Sequence, residues 1–337
     1  MESCNFTGGS VPSFWLVGFP SLQDHQFPLF FVFLAFYLLI LSSNATIIVA
    51  VATDPKLHKP MYFFLTNLSI LDILLTTITI PRMLAMFLIN AKSVSSKGCF
   101  LQMYFFHGLA VTETFLLVVM SYDRYEAICH PLHYAVRMTK QKNLQLAAGA
   151  WFCALLVPIQ PVVQSFQLTF RQAPRVNHCF CDHLAVVQAA CQNADTTFQS
   201  FLGFTISMTV AFGPLLLVVI SYACIMVSVL QIRSKEGRSK TFSTCFSHLV
   251  VVITYYFSIA LAFLSYRVQM PSDIHILSDM TFAILTPLVN PLIYTLRNRD
   301  IKRAVRQLAS SKVFSMKKER LCLEQVGLQG DLKPCFN

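Results

Sequence analysis

The sequence has few charged residues. Only 12% of its 337 residues are Asp, Glu, Lys or Arg, whereas a soluble globular domain carries about 25%. Apolar residues make up 55% of the chain, and 30 of its residues are phenylalanine. This scarcity of charge excludes an ordinary soluble domain and indicates a chain whose surroundings are mostly lipid.

Motifs for catalysis, nucleotide binding and metal binding are missing. The chain has no phosphate-binding P-loop, no glycine-rich dinucleotide turn, no serine nucleophile elbow and no HExxH zinc motif. Cys129, His130 and His133 form one cluster, and Cys245 with His248 forms another. Neither cluster supplies enough ligands for a closed structural zinc site. We therefore predict that the protein is not an enzyme and has no firm metal site.

Apolar runs long enough to cross a bilayer recur along the chain. A membrane-spanning helix needs about 20 predominantly apolar residues, and seven runs reach this length. Isolated acids, Asp72, Glu113 and Asp279, lie in three of these runs. The runs predict an all-α membrane protein, a seven-transmembrane helix bundle within residues 27–297, with approximate helices at 27–53, 61–89, 99–126, 143–166, 196–232, 241–266 and 274–296.

The basic residues predict the orientation. Most of the 26 Lys and Arg residues lie in alternate connections and in the tail 298–337, and the basic side of a membrane protein faces the cytoplasm. Residues 1–26 are then extracellular, and Asn5 fits the N-glycosylation pattern. Within the tail, residues 298–310 predict a short cytoplasmic amphipathic helix on the inner leaflet of the cell membrane. The basic excess is thus explained by topology and lipid contact, and nucleic-acid binding is not expected.

The cysteines on the predicted outer side are candidates for disulfides, because the extracellular environment is oxidising. Cys99 opens the third predicted helix, and the long loop before the fifth helix contains several more cysteines. A bridge between them would hold this loop over the bundle as a lid. The alternative is a buried free thiol at Cys99, and these considerations leave its partner in the loop open among Cys179, Cys181 and Cys191, while Cys4 also lies on the outer side.

Two acids are predicted inside the membrane. A charged carboxylate at the bilayer centre costs about 2.5–3.5 kcal/mol, and Asp72 and Glu113 lie in the middle of adjacent apolar runs. We expect them either to share a proton or to hold a small cation such as Na⁺, with Asn44 and Asn290 completing a polar cluster. The alternative is a neutral, hydrogen-bonded pair with a packing role only. No other cofactor is expected.

Long motifs in five of the seven predicted helices resemble those of the odorant receptors, which are rhodopsin-like G-protein-coupled receptors. The resemblance covers residues 20–310. The motifs are LHKPMYFFLTNLSILD at Leu57–Asp72, MSYDRYEAICHPLHY at Met120–Tyr134, SY at Ser221-Tyr222, KTFSTCFSHL at Lys240–Leu249 and PLVNPLIYTLRNRDIK at Pro287–Lys302.

Rival classes of seven-helix protein lack support in the sequence. A transporter usually contains internal repeats, and none is apparent. A retinal-binding protein needs a Lys in its last helix, and Ile274–Leu296 contains none. An amine receptor would place an acid in the outer half of the third helix, where Phe106 and His107 stand instead.

The resemblance implies a function in olfaction. Odorant receptors bind small, mostly apolar volatile molecules within the bundle and activate a heterotrimeric stimulatory G protein that raises cyclic AMP. Asp123 is then expected to hold Arg124 in the resting state. The residues that match the G-protein-facing switch are Asp123, Arg124, Tyr125, Tyr222 and Tyr294.

The resemblance also places the ligand pocket between the third, fifth, sixth and seventh helices. His107, Ser207 and Tyr256 are expected to offer hydrogen bonds, and the other members to offer apolar walls. The positions that match the pocket are Phe106, His107, Ala110, Val111, Ile206, Ser207, Val210, Tyr256, Ile259, Ala260 and Ala283.

This chain departs from the family pattern at a few positions. The resemblance implies a Cys99–Cys181 disulfide, but Arg171 stands where the long loop commonly has a second bridging cysteine. Cys179–Cys191 is therefore the candidate for a second bridge. Glu126 replaces a usual Val beside the switch, where it is expected to alter basal coupling, and Phe257 replaces a usual Gly, where it is expected to tighten or reshape the sixth helix.

Overall fold

The computed structural model describes residues 6–191, 194–268, 270–308 and 310. In this part of the chain, seven helical segments are long and apolar enough to cross a membrane. The predicted all-α seven-helix bundle is confirmed. The α-helices of the described residues are α1 (Gln26–Thr53), α2 (Pro60–Ile89), α3 (Ser96–Cys129), α4 (Tyr134–Arg137), α5 (Lys140–Leu156), α6 (Ile159–Gln167), α7 (His183–Ala189), α8 (Ala194–Gln231), α9 (Lys235–Arg267), α10 (Ser272–Arg297) and α11 (299–308). Of these, α5 and α6 together form one span, and α4, α7 and α11 are not spans.

The fourth span consists of two helices, α5 and α6, rather than the single helix predicted over 143–166. Pro158 lies at the break between them. Proline has no backbone N–H to donate, and its ring clashes with the preceding turn of a helix. The Val157 N–H donates to the Ala154 carbonyl at 3.3 Å, which tightens the last turn of α5 into the 3-10 pattern.

The sixth span, α9, begins at Lys235 rather than at residue 241. The side chain of Ser234 accepts a hydrogen bond from the Gly237 N–H at 3.1 Å and caps the helix. Hydropathy indicates only the part of a helix that suits lipid. The cap determines where the helix starts, so α9 extends beyond the apolar run.

Short strands cover one end of the bundle, here called the N-terminal face because residues 6–25 lie there. β1 (Phe6–Thr7) pairs with β4 (Thr169–Phe170). β2 (Ser13–Leu16) lies between β3 (Ser93–Ser95) and β5 (Arg175–Val176). These strands have only two to four residues, too few for the alternation of apolar and polar residues that predicts a strand. The other end of the bundle, which carries α4 and α11, is called the opposite face.

The aromatic side chain of Phe14 anchors β2 to the bundle. Phe14 is fully buried and makes edge contacts with the rings of Phe100 and Phe170, with centroids 5.7 and 5.2 Å away. The neighbouring Trp15 is exposed. The N-terminal segment is therefore part of the core at this face.

Phe14→Ala is expected to destabilise the protein by about 3–5 kcal/mol, because the change removes a fully buried ring and leaves a cavity. Trp15→Ala is the matched control on the same strand and should change the stability by about 0.5 kcal/mol or less. Thermal melting of the detergent-solubilised protein measures both. Equal losses for the two variants would contradict the anchoring role of Phe14.

The predicted Cys99–Cys181 disulfide is present and joins the start of α3 to the long loop. The predicted Cys179–Cys191 bridge is wrong. Cys191 is disulfide-bonded, but Cys179 is a free thiol that is fully buried in the apolar core. The Cys191 N–H donates to the Thr169 carbonyl, so this cysteine lies beside β4. Asn5, Cys4 and residues 311–337 lie outside the described residues.

The outer surface of the bundle is apolar. Phe257, predicted to reshape the sixth helix, is 61% exposed on this surface, and it therefore faces lipid rather than other helices. Exposed apolar side chains along α8 include Phe201, Phe212 and Leu216. Such a surface suits a lipid environment and is rare on soluble monomers.

Candidate ligand pocket and signalling switch

A cavity of about 510 Å³ lies between α3, α6, α8, α9 and α10, below the N-terminal face. Its walls are mainly apolar and aromatic, as is common for small-molecule sites. The cavity brings together eight residues predicted for the pocket: Phe106, His107, Ala110, Val111, Ile206, Ser207, Val210 and Ile259.

Three predicted pocket residues do not line this cavity. Ala283 is buried in helix packing, Ala260 is exposed on the outside of α9, and Tyr255 lines the cavity in place of Tyr256. Successive residues on a helix point about 100° apart, so an error of one position selects a different face. The Tyr255 hydroxyl is bonded to the Ala110 carbonyl at 2.9 Å and to the Thr114 hydroxyl.

The end of the cavity nearest the N-terminal face is polar, which the sequence did not predict. Asp182, His183 and Asp279 line it together with His107. The Nε2 atom of His107 lies 3.5 Å from Asp182 Oδ1, and His178 Nε2 lies 3.1 Å from Asp279 Oδ2. The sequence does contain histidines and acids near Cys181. Whether they reach the cavity depends on the path of the loop, which the sequence does not give.

Asp182 organises this end of the cavity. Its Oδ2 atom accepts hydrogen bonds from the N–H groups of Leu184 and Ala185 at 2.9 and 3.3 Å, which caps α7. Burial acts to raise the pKa of Asp182, but the nearby histidines and the Ala185 N–H lower it below its ordinary value. Burial, together with the neighbouring His107, lowers the pKa of His183 to about 4. The carboxylate is therefore ionised and the His183 ring neutral near pH 7.

The two intramembrane acids meet at the centre of the bundle. The Asn290 amide nitrogen lies 3.2 Å from Asp72 Oδ2 and 3.4 Å from Glu113 Oε1. Asn44, which was predicted to belong to this cluster, donates to the Pro287 carbonyl at 3.0 Å rather than to an acid. In the described residues, Glu113 Oε2, Asn290 Oδ1 and Thr286 Oγ1 are buried without a hydrogen-bond partner.

Asp123 and Arg124 form a buried ion pair at the opposite face. The Arg124 guanidinium donates from Nη2 and Nε to Asp123 Oδ2 at 2.5 and 3.1 Å. The Tyr134 hydroxyl, from the short helix α4, donates to Asp123 Oδ1 at 2.7 Å. Burial, followed by the nearby Asp123, raises the pKa of Tyr134, so the hydroxyl keeps its proton. Tyr134 is thus a second partner of Asp123, and the sequence did not single it out.

The tyrosines of the predicted switch lie on neighbouring helices. The Tyr222 hydroxyl is 2.6 Å from His248 Nδ1, and Tyr125 packs beside it against an apolar cluster formed by α8 and α9. Tyr294 is fully buried, and its hydroxyl has no hydrogen-bond partner among the described residues. Within the described chain, Arg124 makes its side-chain hydrogen bonds to Asp123 rather than to any of these tyrosines.

Glu126 lies about one turn after Asp123 in α3 and joins this helix to the segment that follows it. Its buried carboxylate accepts hydrogen bonds from Arg137 Nη1 at 2.9 and 3.2 Å and lies 3.6 Å from His130 Nδ1. Glu126 therefore holds α4 against α3, as the hydrogen bond between Tyr134 and Asp123 also does.

Comparison with known proteins identifies the family. The family model described as "Olfactory receptor" matches residues 33–312. The chain belongs to the olfactory receptor family. It is 57% identical to olfactory receptor 2AT4 of Homo sapiens over 309 residues, covering 91% of this chain and 96% of the relative. Olfactory receptor 10R2 of Homo sapiens is 44% identical, with 90% of each chain covered, and olfactory receptor 226 of Rattus norvegicus is 40% identical, with 91% and 94% covered.

The fold agrees with that of a solved receptor. Squid rhodopsin is similar with a TM-score of 0.68 at 16% identity, and the match covers 85% of each chain. This olfactory receptor is therefore a multi-pass membrane protein with the G-protein-coupled receptor fold. Its family consists of signalling receptors rather than enzymes.

Proposed function

We propose that this olfactory receptor binds small, mostly apolar volatile molecules in the 510 Å³ cavity and activates a stimulatory G protein that raises cyclic AMP. The observation that carries the proposal is the cavity itself, which lies among the four helices that the pocket prediction named, together with α6. Its apolar walls favour ligands that leave water readily.

The proposed orientation places the N-terminal face outside the cell and the opposite face in the cytoplasm. The distribution of Lys and Arg supports it, since basic connections face the cytoplasm. The ion pair of Asp123 and Arg124 then lies where a G protein can reach it. Ligand binding would be communicated along α3, which lines the cavity at one end and carries Arg124 at the other.

α11 is proposed to lie at the inner leaflet of the membrane. Ile301 and Ala304 are buried against the bundle, so the apolar side of the helix packs on protein. Its remaining face carries basic residues suited to anionic lipid headgroups, namely Arg299, Lys302, Arg303 and Arg306.

Filling the cavity tests the ligand site. Ala110→Phe places a ring in the cavity and should raise the half-maximal concentration of an active odorant about tenfold or more, because about 1.4 kcal/mol of binding energy corresponds to a tenfold change. Ala260→Phe is the matched control, since that alanine is on the outer surface of α9. A cyclic-AMP reporter in cells expressing each variant, screened with a panel of volatile molecules, gives the result. Unchanged potency for Ala110→Phe at normal surface expression would place the ligand elsewhere.

We also propose that Asp72 and Glu113 hold Na⁺ together with Asn290. The buried unpartnered oxygens of Glu113, Asn290 and Thr286 are hard donors that suit such a cation. Two ionised carboxylates that contact the same amide nitrogen repel each other unless a cation or a shared proton compensates them. The cation would stabilise the inactive arrangement of α2, α3 and α10.

Sodium should raise the melting temperature of the purified receptor by several degrees relative to potassium at equal ionic strength, because a ligand that binds only the folded state stabilises it. Glu113→Gln and Asp72→Asn should each abolish the difference. An equal response to both salts in the unmodified receptor would favour the shared proton or the packing role.

A further inference from the structure

The polar end of the cavity contains two imidazoles with unused hydrogen-bonding atoms. His183 is only 6% exposed, and it lines the cavity with His107. The Nε2 atoms of both rings are buried and make no hydrogen bond among the described residues. The nearest acid oxygen to His107 Nε2 is 3.5 Å away, longer than the roughly 2.7–3.2 Å of an ordinary N–H···O bond. A buried polar atom without a partner destabilises a protein, so a ligand atom would satisfy these groups.

We propose that His183 and His107 are the polar anchor of the pocket, and that the ligands of this receptor are neutral molecules with one hydroxyl or carbonyl oxygen on a hydrocarbon body. The inference rests on the proposed odorant-binding function and assigns its ligand class. The two ring centroids are 6.2 Å apart, so one ligand in the cavity can reach both rings. A hydroxyl can donate to one ring and accept from the other, and a carbonyl can accept.

The charges at this end of the cavity select against ionised ligands. The pKa of His183, lowered to about 4 by burial and by the neighbouring His107, leaves that ring neutral and without a positive charge for a carboxylate. The ionised Asp182 also repels an anion. The acids would attract an ammonium group, but its N–H groups would compete with the donors that these acids already have, since Asp182 accepts from the N–H groups of α7 and Asp279 from His178.

The backbone of α8 leaves room for the His183 ring. Gly203 faces this ring, and a Cβ atom at that position would lie 2.7 Å from His183 Cε1 and 3.0 Å from Nδ1. Real Cβ contacts are longer, so a methyl group at Gly203 would displace the ring. Gly213, further along the same helix, has no atom within 4 Å of its would-be Cβ. The two glycines therefore form a matched pair for a test.

The experiment measures cyclic-AMP responses of the full-length receptor to sets of molecules that share one carbon skeleton: the alcohol, ketone, hydrocarbon, carboxylic acid and amine. Linear, cyclic and terpenoid skeletons are included. The alcohol or ketone should be the most potent member of each active set. His183→Leu and Gly203→Ala should each raise its half-maximal concentration about tenfold, the loss expected for one buried hydrogen bond. His183→Gln, which keeps a donor and an acceptor, should recover part of the potency, and Gly213→Ala should match the unmodified receptor.

The possible failures are distinguishable. If alcohols or ketones activate the receptor but His183→Leu and Gly203→Ala leave their potency unchanged at equal surface expression, the anchor is wrong and the odorant function stands. If acids or amines are preferred, the ligand class is wrong and the function again stands. If no member of any set raises cyclic AMP or shifts the melting temperature of the purified receptor, the proposed function fails and the inference fails with it.

Discussion

Cys99→Ser is expected to remove most of the receptor from the cell surface. The Cys99–Cys181 bridge joins residues 82 positions apart in the chain, and losing a native disulfide typically costs about 2–5 kcal/mol. The bridge also fixes the loop that places Asp182 and His183 in the cavity. Beside the bridge, the Cys181 N–H donates to Gln102 Oε1 at 3.0 Å, but a single hydrogen bond contributes only about 0.5–1.5 kcal/mol.

The control for this loss is Cys179→Ala. Cys179 is buried two residues from the bridge but is a free thiol, so its removal should have a smaller effect on surface display. The double variant Cys99→Ser/Cys181→Ser should be no worse than Cys99→Ser. An N-terminal epitope measured on intact cells, with total receptor measured after permeabilisation, separates folding from synthesis. Surface display of Cys99→Ser close to that of the unmodified receptor would show that the loop folds without the bridge.

The helices of this receptor were predictable because lipid imposes a simple constraint on sequence. A span must be apolar over its whole length and must satisfy its own backbone hydrogen bonds, so hydropathy locates it. The limits of α9 and the break at Pro158 depend on caps and backbone sterics, which hydropathy does not report. The short strand β2 could not be predicted because its stability comes from Phe14 meeting Phe100 and Phe170, residues distant in sequence.

The site was predictable where a helix determines direction and unpredictable where a loop does. Most pocket positions on α3 and α8 line the cavity, whereas the assignment on α9 selected Tyr256 instead of Tyr255. His183 and Asp182 enter the cavity only because α7 is placed by the disulfide and by β5. Likewise, the short spacing between Cys179 and Cys191 suggested a bridge between them, but Cys179 is enclosed by the core.

Asp123→Asn is expected to raise basal cyclic-AMP signalling. The ion pair with Arg124 is buried at the opposite face, and a hydrogen bond to a charged group contributes about 1.5–3 kcal/mol. If the pair holds Arg124 in the resting state, its loss shifts the balance toward the active state by about tenfold or more. Arg124→Ala should instead abolish the response at intact surface expression, because it removes the group proposed to meet the G protein. Basal and ligand-stimulated cyclic AMP, normalised to surface receptor, are the measurements.

Glu126→Gln is the matched control because it neutralises another buried carboxylate of the same helix. Glu126 pairs with Arg137, which is half-exposed and therefore more weakly coupled than a buried partner. The Glu126→Gln variant leaves the hydrogen bond between Tyr134 and Asp123 intact, so we expect a smaller rise in basal signalling than for Asp123→Asn. Tyr134→Phe, which removes that hydroxyl alone, should lie between the two. A Glu126→Gln effect equal to that of Asp123→Asn would mean that the resting state depends on how α4 is held against α3 rather than on the pairing of Arg124.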